Sequence, residues 1–212
     1  MLDILRAGLS PRFVPYLDGW ELQRQVHRDV VDGARSDTLI LLEHEAVYTA
    51  GKRTEPHERP QDGTPVIDVD RGGKITWHGP GQLVGYPIVR LPEPMDVVAH
   101  VRRLERVLID VLRPLGVDGY QVEGRSGVWL RRPLSEDKVA AIGVRVQQGA
   151  TMHGFAINCN NTLAGFGGII PCGIADAGVT TISEVVGRDV SPAEIVDAVS
   201  AAFVTEYAGV PA

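Results

Sequence analysis

The sequence has few cysteines and no long apolar run, and both absences exclude whole classes of protein. Cys159 and Cys172 are the only cysteines among 212 residues, which excludes the disulfide framework of a small secreted domain. No stretch approaches the ~18 apolar residues needed to span a membrane, and the first ten residues lack the apolar core of a signal peptide. We therefore expect a cytoplasmic protein with reduced thiols and no contact with a membrane.

Positive charge is also scarce. Aspartate and glutamate outnumber lysine and arginine by 27 to 21, so the net charge is −6. Because non-specific nucleic-acid binding needs a positive surface that releases counterions, no nucleic-acid partner is expected. No second ligand stands at helical or strand spacing from His44 or His57, so we expect both on the surface and no metal site.

The residues that are present predict one mixed α/β domain over residues 1–212. Hydrophobic residues make up 44% and charged residues 23%, which is ordinary for a globular protein. Apolar spacing predicts helices over residues 16–33, 96–112 and from 191 onward. Shorter apolar runs predict strands over residues 2–9, 38–42, 66–69, 74–77, 82–89, 128–130, 139–146 and 152–158.

Two of the predicted helices carry features that the structure can test. Arg102, Arg103 and Arg106 lie off the apolar stripe of the second helix, which makes them a solvated face or a docking patch for an acidic partner. The run SPAE at residues 191–194 is typical of a capping box with proline at the first helical position.

A glycine-rich stretch, RGGKITWHGPGQLVGYPIV, occupies residues 71–89. Glycines let the backbone approach a ligand closely, since no Cβ stands in the way. Lys74, Trp77 and His78 would then place charge, apolar area and a titratable nitrogen around one spot. The alternative is an ordinary β-hairpin with two tight turns, and the spacing alone does not decide between the two.

The two cysteines stand in different settings. Cys172 lies between proline and glycine in a glycine-rich loop over residues 163–177, on rigid and open backbone that suits a nucleophile. Cys159 ends an apolar strand, where a buried, inert thiol is expected. A reactive thiol needs a positive neighbour, and the candidates are Lys138, His78, His153 and Arg145. Cys172 as a merely structural thiol remains an alternative.

Lys138 begins the apolar strand KVAAIGVRV. Apolar neighbours would desolvate its ammonium group and favour the neutral amine, which would make it a usable acid or base. The alternative is a lysine at the exposed start of a strand, because lysine is rarely buried without a partner.

Together these segments carry a family resemblance. In order along the chain, the blocks are RGGKITWHGPGQLVGYPIV, KVAAIGVRV, MHGFAINCN and GGIIPCGI. Their combination resembles the octanoyltransferases of lipoate biosynthesis over most of the chain, from about Tyr48 to Glu184. The resemblance implies the fold of the biotin and lipoate protein ligases, a mixed, largely antiparallel β-sheet flanked by helices.

The resemblance also implies a reaction and its residues. An octanoyl or lipoyl group would pass from acyl carrier protein to a lysine of lipoyl domains through a thioester on Cys172, with Lys138 as its partner and no cofactor. Acceptors would be lipoyl domains of 2-oxoacid dehydrogenases and the glycine cleavage carrier protein, and the enzyme would be a monomer. The implied substrate contacts are Arg71, Gly72, Gly73, Lys74, Ile75, Thr76, Trp77, His78, Ala141, Ile142, Gly143, Gly154, Phe155 and Ala156.

Within these contacts, Ile75, Trp77, Ile142 and Phe155 are the expected apolar wall of the acyl site. Two positions depart from the family pattern: Trp77 replaces a frequent tyrosine and Ala141 a frequent serine. Two other functions remain as alternatives. An ATP-dependent lipoate or biotin ligase would share the fold without needing a nucleophilic cysteine, and a non-catalytic module that binds carrier protein would make Cys172 incidental.

Overall fold

Two β-sheets and four α-helices make up the described part of the chain. The structure is a computed structural model that describes residues 2–60, 64–132, 135–169 and 177–208. The helices are α1 (Tyr16–Val31), α2 (Val97–Leu112), α3 (Ile182–Val186) and α4 (Pro192–Tyr207). The strands are β1 (Asp3–Gly8), β2 (Thr38–Leu42), β3 (Val47–Ala50), β4 (Val66–Asp68), β5 (Thr76–His78), β6 (Gln82–Ile88), β7 (Tyr120–Val122), β8 (Arg125–Arg131), β9 (Glu136–Gln147), β10 (Ala150–Asn158) and β11 (Ala177–Val179).

The larger sheet has the strand order β1-β2-β6-β10-β9-β8-β7, and β11 pairs beside the start of β9. Pairing is parallel between β1 and β2 and between β11 and β9, and antiparallel at the other junctions. The smaller sheet has the order β4-β3-β5. The prediction of a mixed, largely antiparallel sheet flanked by helices is confirmed.

The turn at residues 78–81 joins these two sheets. Strand β5, before the turn, pairs with β3 of the smaller sheet, whereas β6, after it, pairs with β2 and β10 of the larger one. The hairpin alternative for this stretch is therefore wrong. Buried Glu43 anchors the turn, because its carboxylate accepts hydrogen bonds from the Gly81 N–H at 2.8 Å and from the Ser10 N–H at 2.9 Å.

Alternation along the central strands sends their side chains to two separate apolar clusters. In β2, Leu39 and Leu41 pack in the cluster that contains α2 and α4. Ile40 and Leu42, between and after them, pack in the cluster that contains Val26 and other residues of α1. Successive side chains of a strand point to opposite faces of its sheet, so α1 covers one face and α2 and α4 cover the other.

The helix predictions hold in position and fail in one detail, the start of α4. Asp96 caps α2 by accepting a hydrogen bond from the Ala99 N–H at 2.8 Å. At α4, Pro192 occupies the first turn as predicted, but Ser191 makes no side-chain cap. The capping box does not form because the Glu194 carboxylate binds the guanidinium of Arg188 at 2.8 Å instead.

The arginines of α2 are not a uniformly solvated face. Arg102 donates to the carbonyl of Val122 in β7 at 3.0 Å and to the buried carboxylate of Glu105 at 2.7 Å. Arg103 pairs with Glu206 of α4 at 2.9 Å. Arg106 is exposed. Two of the three arginines therefore tie α2 to its surroundings. Among the described residues, no helix combines the length and apolarity needed to cross a membrane.

Candidate active site

A cavity of about 310 Å³ opens beside β6, β9 and β10, next to the start of α1 and the loop at residues 71–75. Most of the residues that the family resemblance implies line it. These residues are Arg71, Gly73, Lys74, Ile75, Thr76, His78, Lys138, Ala141, Ile142, Gly143, Gly154, Phe155 and Ala156. Three segments far apart in sequence therefore meet around one space.

Two of the implied contacts lie behind the cavity wall. Trp77 stands between Thr76 and His78 in β5, so its ring points to the opposite side and packs against Phe166 with ring centroids 5.6 Å apart. Gly72 donates its N–H to the carbonyl of Val144 at 3.0 Å. Trp77 is therefore not among the described residues that line this cavity, and its place in the apolar wall stays a prediction.

The buried guanidinium of Arg71 shapes the loop that bears Lys74. It donates to the carbonyl of Lys74 at 2.7 Å and to the carbonyl of Thr49 at 2.8 Å. Gly51 packs so closely against this loop that a Cβ there would lie 2.5 Å from the carbonyl oxygen of Gly73. Arg71 therefore supports the cavity wall by cross-linking the loop to strand β3.

Lys74 brings a positive charge to the cavity, and a buried carboxylate compensates it. Its ammonium binds Glu58, whose side chain is 2% exposed. Burial raises the pKa of Glu58, but the hydrogen bond and charge of Lys74 outweigh that effect and hold the pKa below its usual value. Glu58 is therefore ionised at neutral pH and holds Lys74 at the rim.

Lys138 is buried in the wall of the cavity, with 6% of its surface exposed. Its ammonium lies 4.5 Å from the centroid of the Trp129 ring, in the range of a cation–π contact. Gly127 makes room for it, because a Cβ at that position would lie 3.2 Å from Lys138 Cε. The alternative of a lysine at an exposed strand start is wrong.

Cys172 falls in residues 170–176, outside the described part of the chain. The residues on either side are described: Ile169 packs with Ile75 and Trp77, and Val179 of β11 stands opposite Lys138 in β9. Cys159 is buried as predicted, and burial raises the pKa of its thiol far above the usual value. Cys159 is therefore an inert thiol at neutral pH.

Histidines cannot supply the positive charge that a thiolate needs. Burial, with a smaller effect of His44, lowers the pKa of His78 to about 3. Burial, helped by the charges of Arg71 and Arg145, lowers the pKa of His153 to about 3. Arg145 itself pairs with Asp70. Of the four predicted neighbours, Lys138 is the one that combines a buried ammonium with a place in the cavity wall.

His44 is buried, so its predicted surface position is wrong. Nδ1 donates to the carbonyl of Val14 at 2.8 Å, and Nε2 accepts from the hydroxyl of Tyr86 at 2.6 Å. Its ring lies 5.0 Å from that of Tyr16, and burial lowers its pKa to about 4. It holds together α1 and β6 below the cavity. His57, by contrast, is exposed as expected.

Several residues that line the cavity carry no sequence pattern that would identify them as substrate contacts. They include Tyr16, Tyr86 and His153, and the others are Arg53, Val84, Gly124, Arg125 and Ser126. His153 has a φ of +59°, a conformation that costs a non-glycine residue about 1–3 kcal/mol and often marks a functional site. Such backbone strain cannot be seen in the sequence.

Comparison with known proteins assigns the family. The model of the lipoyl protein ligase A/B catalytic domain matches residues 15–204. An octanoyltransferase of Clavibacter sepedonicus is 63% identical over 201 residues, which cover 92% of this chain and 87% of that protein. The chain belongs to the octanoyltransferase family.

A second relative and a solved structure complete the comparison. An octanoyltransferase of Rhodococcus opacus is 60% identical over 202 residues, which cover 92% of this chain and 78% of that protein. A bipartite lipoate protein ligase from Thermoplasma acidophilum has a TM-score of 0.71 at 17% identity, covering 97% of this chain and 84% of that one. The ligase shows the shared fold. Membership of the octanoyltransferase family makes this chain a transferase, so the non-catalytic alternative is wrong.

Proposed function

We propose that this chain transfers an octanoyl group from acyl carrier protein to a lysine of lipoyl domains, with Cys172 as nucleophile and Lys138 as acid and base. The observation that carries the proposal is the buried ammonium of Lys138 in the cavity wall. Its strand pairs with β11, which continues from the segment that holds Cys172. A buried cation next to a thiol favours the reactive thiolate.

The first half-reaction exchanges one thioester for another. The Cys172 thiolate attacks the carbonyl carbon of the octanoyl thioester, and the bond from that carbon to the pantetheine sulfur breaks. Lys138 as ammonium donates its proton to the departing sulfur. The products are octanoyl-Cys172 and free carrier thiol, and because the donor is already activated, no ATP is consumed.

In the second half-reaction the acceptor amine replaces Cys172. The neutral lysine amine attacks the octanoyl-Cys172 carbonyl, Lys138 as neutral amine takes the proton, and the bond to the Cys172 sulfur breaks. This restores the thiolate and the ammonium. The apolar side chains of Ile75, Ile142 and Phe155 in the cavity wall suit a hydrocarbon chain, since each buried methylene contributes about 0.8 kcal/mol.

Intact-mass measurement tests the nucleophile. The wild-type protein incubated with octanoyl carrier protein should gain one octanoyl group, and Cys172→Ser should lose the thioester adduct. Cys159→Ala is the matched control and should keep the adduct, because that thiol is buried. A thioester adduct that persists in Cys172→Ser contradicts the assignment of Cys172.

Lys138 variants test its role as acid and base. Lys138→Ala should lose most transfer activity and move iodoacetamide labelling of Cys172 to higher pH, while exposed Lys52→Ala should change neither. Lys138→Arg keeps the charge but cannot release a proton, so it should favour labelling without supporting transfer to an amine. An unchanged labelling profile in Lys138→Ala argues against the pair.

The rival to be tested is an ATP-dependent ligase, since a lipoate protein ligase shares this fold. Ligases form an acyl adenylate, so ATP–pyrophosphate exchange dependent on free octanoate would support them. We expect no exchange. We further propose a cytoplasmic monomer, with 2-oxoacid dehydrogenase lipoyl domains and the glycine cleavage carrier protein as acceptors; sedimentation and parallel assays of both acceptors test these points.

A further inference from the structure

A row of side-chain amides connects the backbone near β11 to His78 in the cavity wall. Asn158 donates from Nδ2 to the carbonyl of Thr180 at 3.1 Å. A carbonyl can only accept, so Asn158 must turn its Oδ1 toward Gln82, whose Nε2 donates to it at 2.9 Å. Gln82 Nε2 also lies 3.3 Å from the carbonyl of Trp77. Two carbonyls therefore fix the orientation of both amides.

The orientation of Gln82 decides where His78 carries its proton. With Nε2 turned toward Asn158, the Oε1 of Gln82 faces His78 Nδ1 at 2.7 Å. An amide oxygen only accepts, so Nδ1 must be the protonated nitrogen. Burial keeps the ring neutral, since the pKa of His78 is lowered to about 3. Nε2 is then an unprotonated hydrogen-bond acceptor.

Other groups around His78 favour an acceptor in the cavity wall. The Tyr16 ring stacks on His78 with centroids 6.1 Å apart, which holds the imidazole in place. The Tyr86 hydroxyl donates a hydrogen bond to His44, and His153 donates from Nε2 to Asp70 at 2.7 Å. Tyr86 and His153 also line the cavity, and both are left with lone pairs. This part of the wall suits a ligand that donates N–H.

We propose that Gln82 is a positioning residue that holds His78 in its Nδ1–H tautomer, so that Nε2 accepts a hydrogen bond from an N–H group of the substrate. The proposal rests on octanoyl transfer as the proposed function. The substrates of octanoyl transfer carry such N–H groups in two places, the acceptor lysine amine and the amides of the pantetheine arm. The lysine amine must also be aligned for attack on the acyl carbon, which an acceptor at Nε2 would achieve.

Histidine tautomers can be measured without any substrate. Nitrogen-15 NMR of histidine-labelled protein should show His78 as the Nδ1–H tautomer at neutral pH, assigned by the signal missing in His78→Gln. Gln82→Met should abolish the preference for this tautomer. Gln82→Glu retains an acceptor toward Nδ1, so the tautomer should persist and His78 should protonate at a higher pH than in the wild type. An Nε2–H tautomer in the wild type overturns the proposal.

Separate measurement of the two half-reactions identifies which N–H group of the substrates binds His78. In Gln82→Met we expect the rate of the affected half-reaction to fall on the order of 10–100-fold. This is the range found when the outer hydrogen-bond partner of a metal-bound histidine is removed. Slower octanoyl transfer to the lipoyl domain with unchanged acyl-enzyme formation assigns the acceptor amine. Slower acyl-enzyme formation alone assigns the pantetheine amides. Gln121→Met is the matched control, because Gln121 donates to Glu105 outside the cavity.

The remaining outcomes also decide the question. If Gln82→Met changes the tautomer but neither half-reaction, or slows both while His78 keeps the Nδ1–H tautomer, the positioning role is wrong. If Gln82→Met does not fold, the tautomer and proton affinity in Gln82→Glu decide instead. Failure of the wild type to acquire an octanoyl group would refute the proposed function, whereas the tautomer measurement would still stand.

Discussion

The two faces of the larger sheet differ in the balance between apolar packing and hydrogen bonds. On the α2 and α4 face, Leu104, Leu108 and Phe203 are completely buried in one apolar cluster. On the α1 face, buried polar side chains such as His44 and Gln23 lie beside the apolar residues. Apolar burial stabilises without fixing direction, whereas hydrogen bonds fix the orientation of each partner.

Both faces contribute to the cavity wall: Tyr86 packs in the α1 cluster, whereas Ile142 and Phe155 pack in the cluster of α2 and α4. A cavity must keep its shape without being filled, and directional contacts such as those of Arg71 and Glu43 provide that. Helix α2 also carries two buried polar residues, Glu105, which accepts a hydrogen bond from the Gly127 N–H at 2.9 Å, and His100. Neither ring nitrogen of His100 has a hydrogen-bond partner in the described part of the chain.

The largest effect is expected from breaking the apolar face. Phe203→Ala should lower the free energy of unfolding by about 3–5 kcal/mol, because it removes a completely buried aromatic ring. Urea unfolding measures the loss. Octanoyl transfer per folded molecule should fall as well, because Phe203 stacks on Phe155 of the cavity wall with ring centroids 5.2 Å apart. Val204→Ala on the same helix, 37% exposed, is the control, and an equal loss there would contradict the assignment.

The second-largest effect is expected from acid, which should lower the free energy of unfolding through the buried histidines of the polar face. Burial lowers the pKa of His44 to about 4, and those of His78 and His153 to about 3. Below about 6.5 the unfolded chain binds protons that the folded protein does not, so stability falls as pH drops from about 6.5 toward these values. Each histidine contributes up to about 1.4 kcal/mol per pH unit.

Urea unfolding from pH 7 to pH 6 measures this acid sensitivity. Exposed His57→Gln should leave the pH dependence unchanged and serves as the control. A flat stability profile over this range would show that the three rings are not buried as neutral groups.

The exchange of a single atom in Glu43, which anchors the turn between the sheets, should have a smaller effect. Glu43→Gln turns one acceptor oxygen into an N–H₂ donor that faces the Gly81 or Ser10 N–H. An unsatisfied buried group costs about 1–3 kcal/mol, and the shifted turn should also slow octanoyl transfer. Exposed Glu45→Gln is the matched control. Wild-type stability and activity in Glu43→Gln would refute a role for this anchor.

The smallest effect, with opposite sign, is expected at His100. His100→Leu should raise the free energy of unfolding by about 1 kcal/mol at neutral pH, because an unpaired buried polar group is replaced by an apolar one. The gain should grow toward pH 5, since burial also lowers the pKa of His100 to about 4. Thermal unfolding at both pH values measures it. Loss of stability would mean that His100 has a partner of its own.

Local patterns in the sequence were sufficient to predict most of the helices and strands. The run TLILL predicted β2 to the residue, and the apolar stripe predicted α2 to within one residue. Four short blocks, compared with a known family, also indicated most of the residues that line the cavity. Periodicity and turn chemistry act over a few residues, so they can be recognised without the fold.

Other features were decided only by the tertiary structure. Trp77 faces away from the cavity because β5 joins the smaller sheet. The Glu194 carboxylate binds Arg188 instead of capping α4. His44 is buried because α1 packs over it, and Lys138 because Gly127 leaves room for it. Burial and hydrogen-bond partners come from segments distant in the chain, so the protonation of His78 and His153 could not follow from their neighbours in sequence.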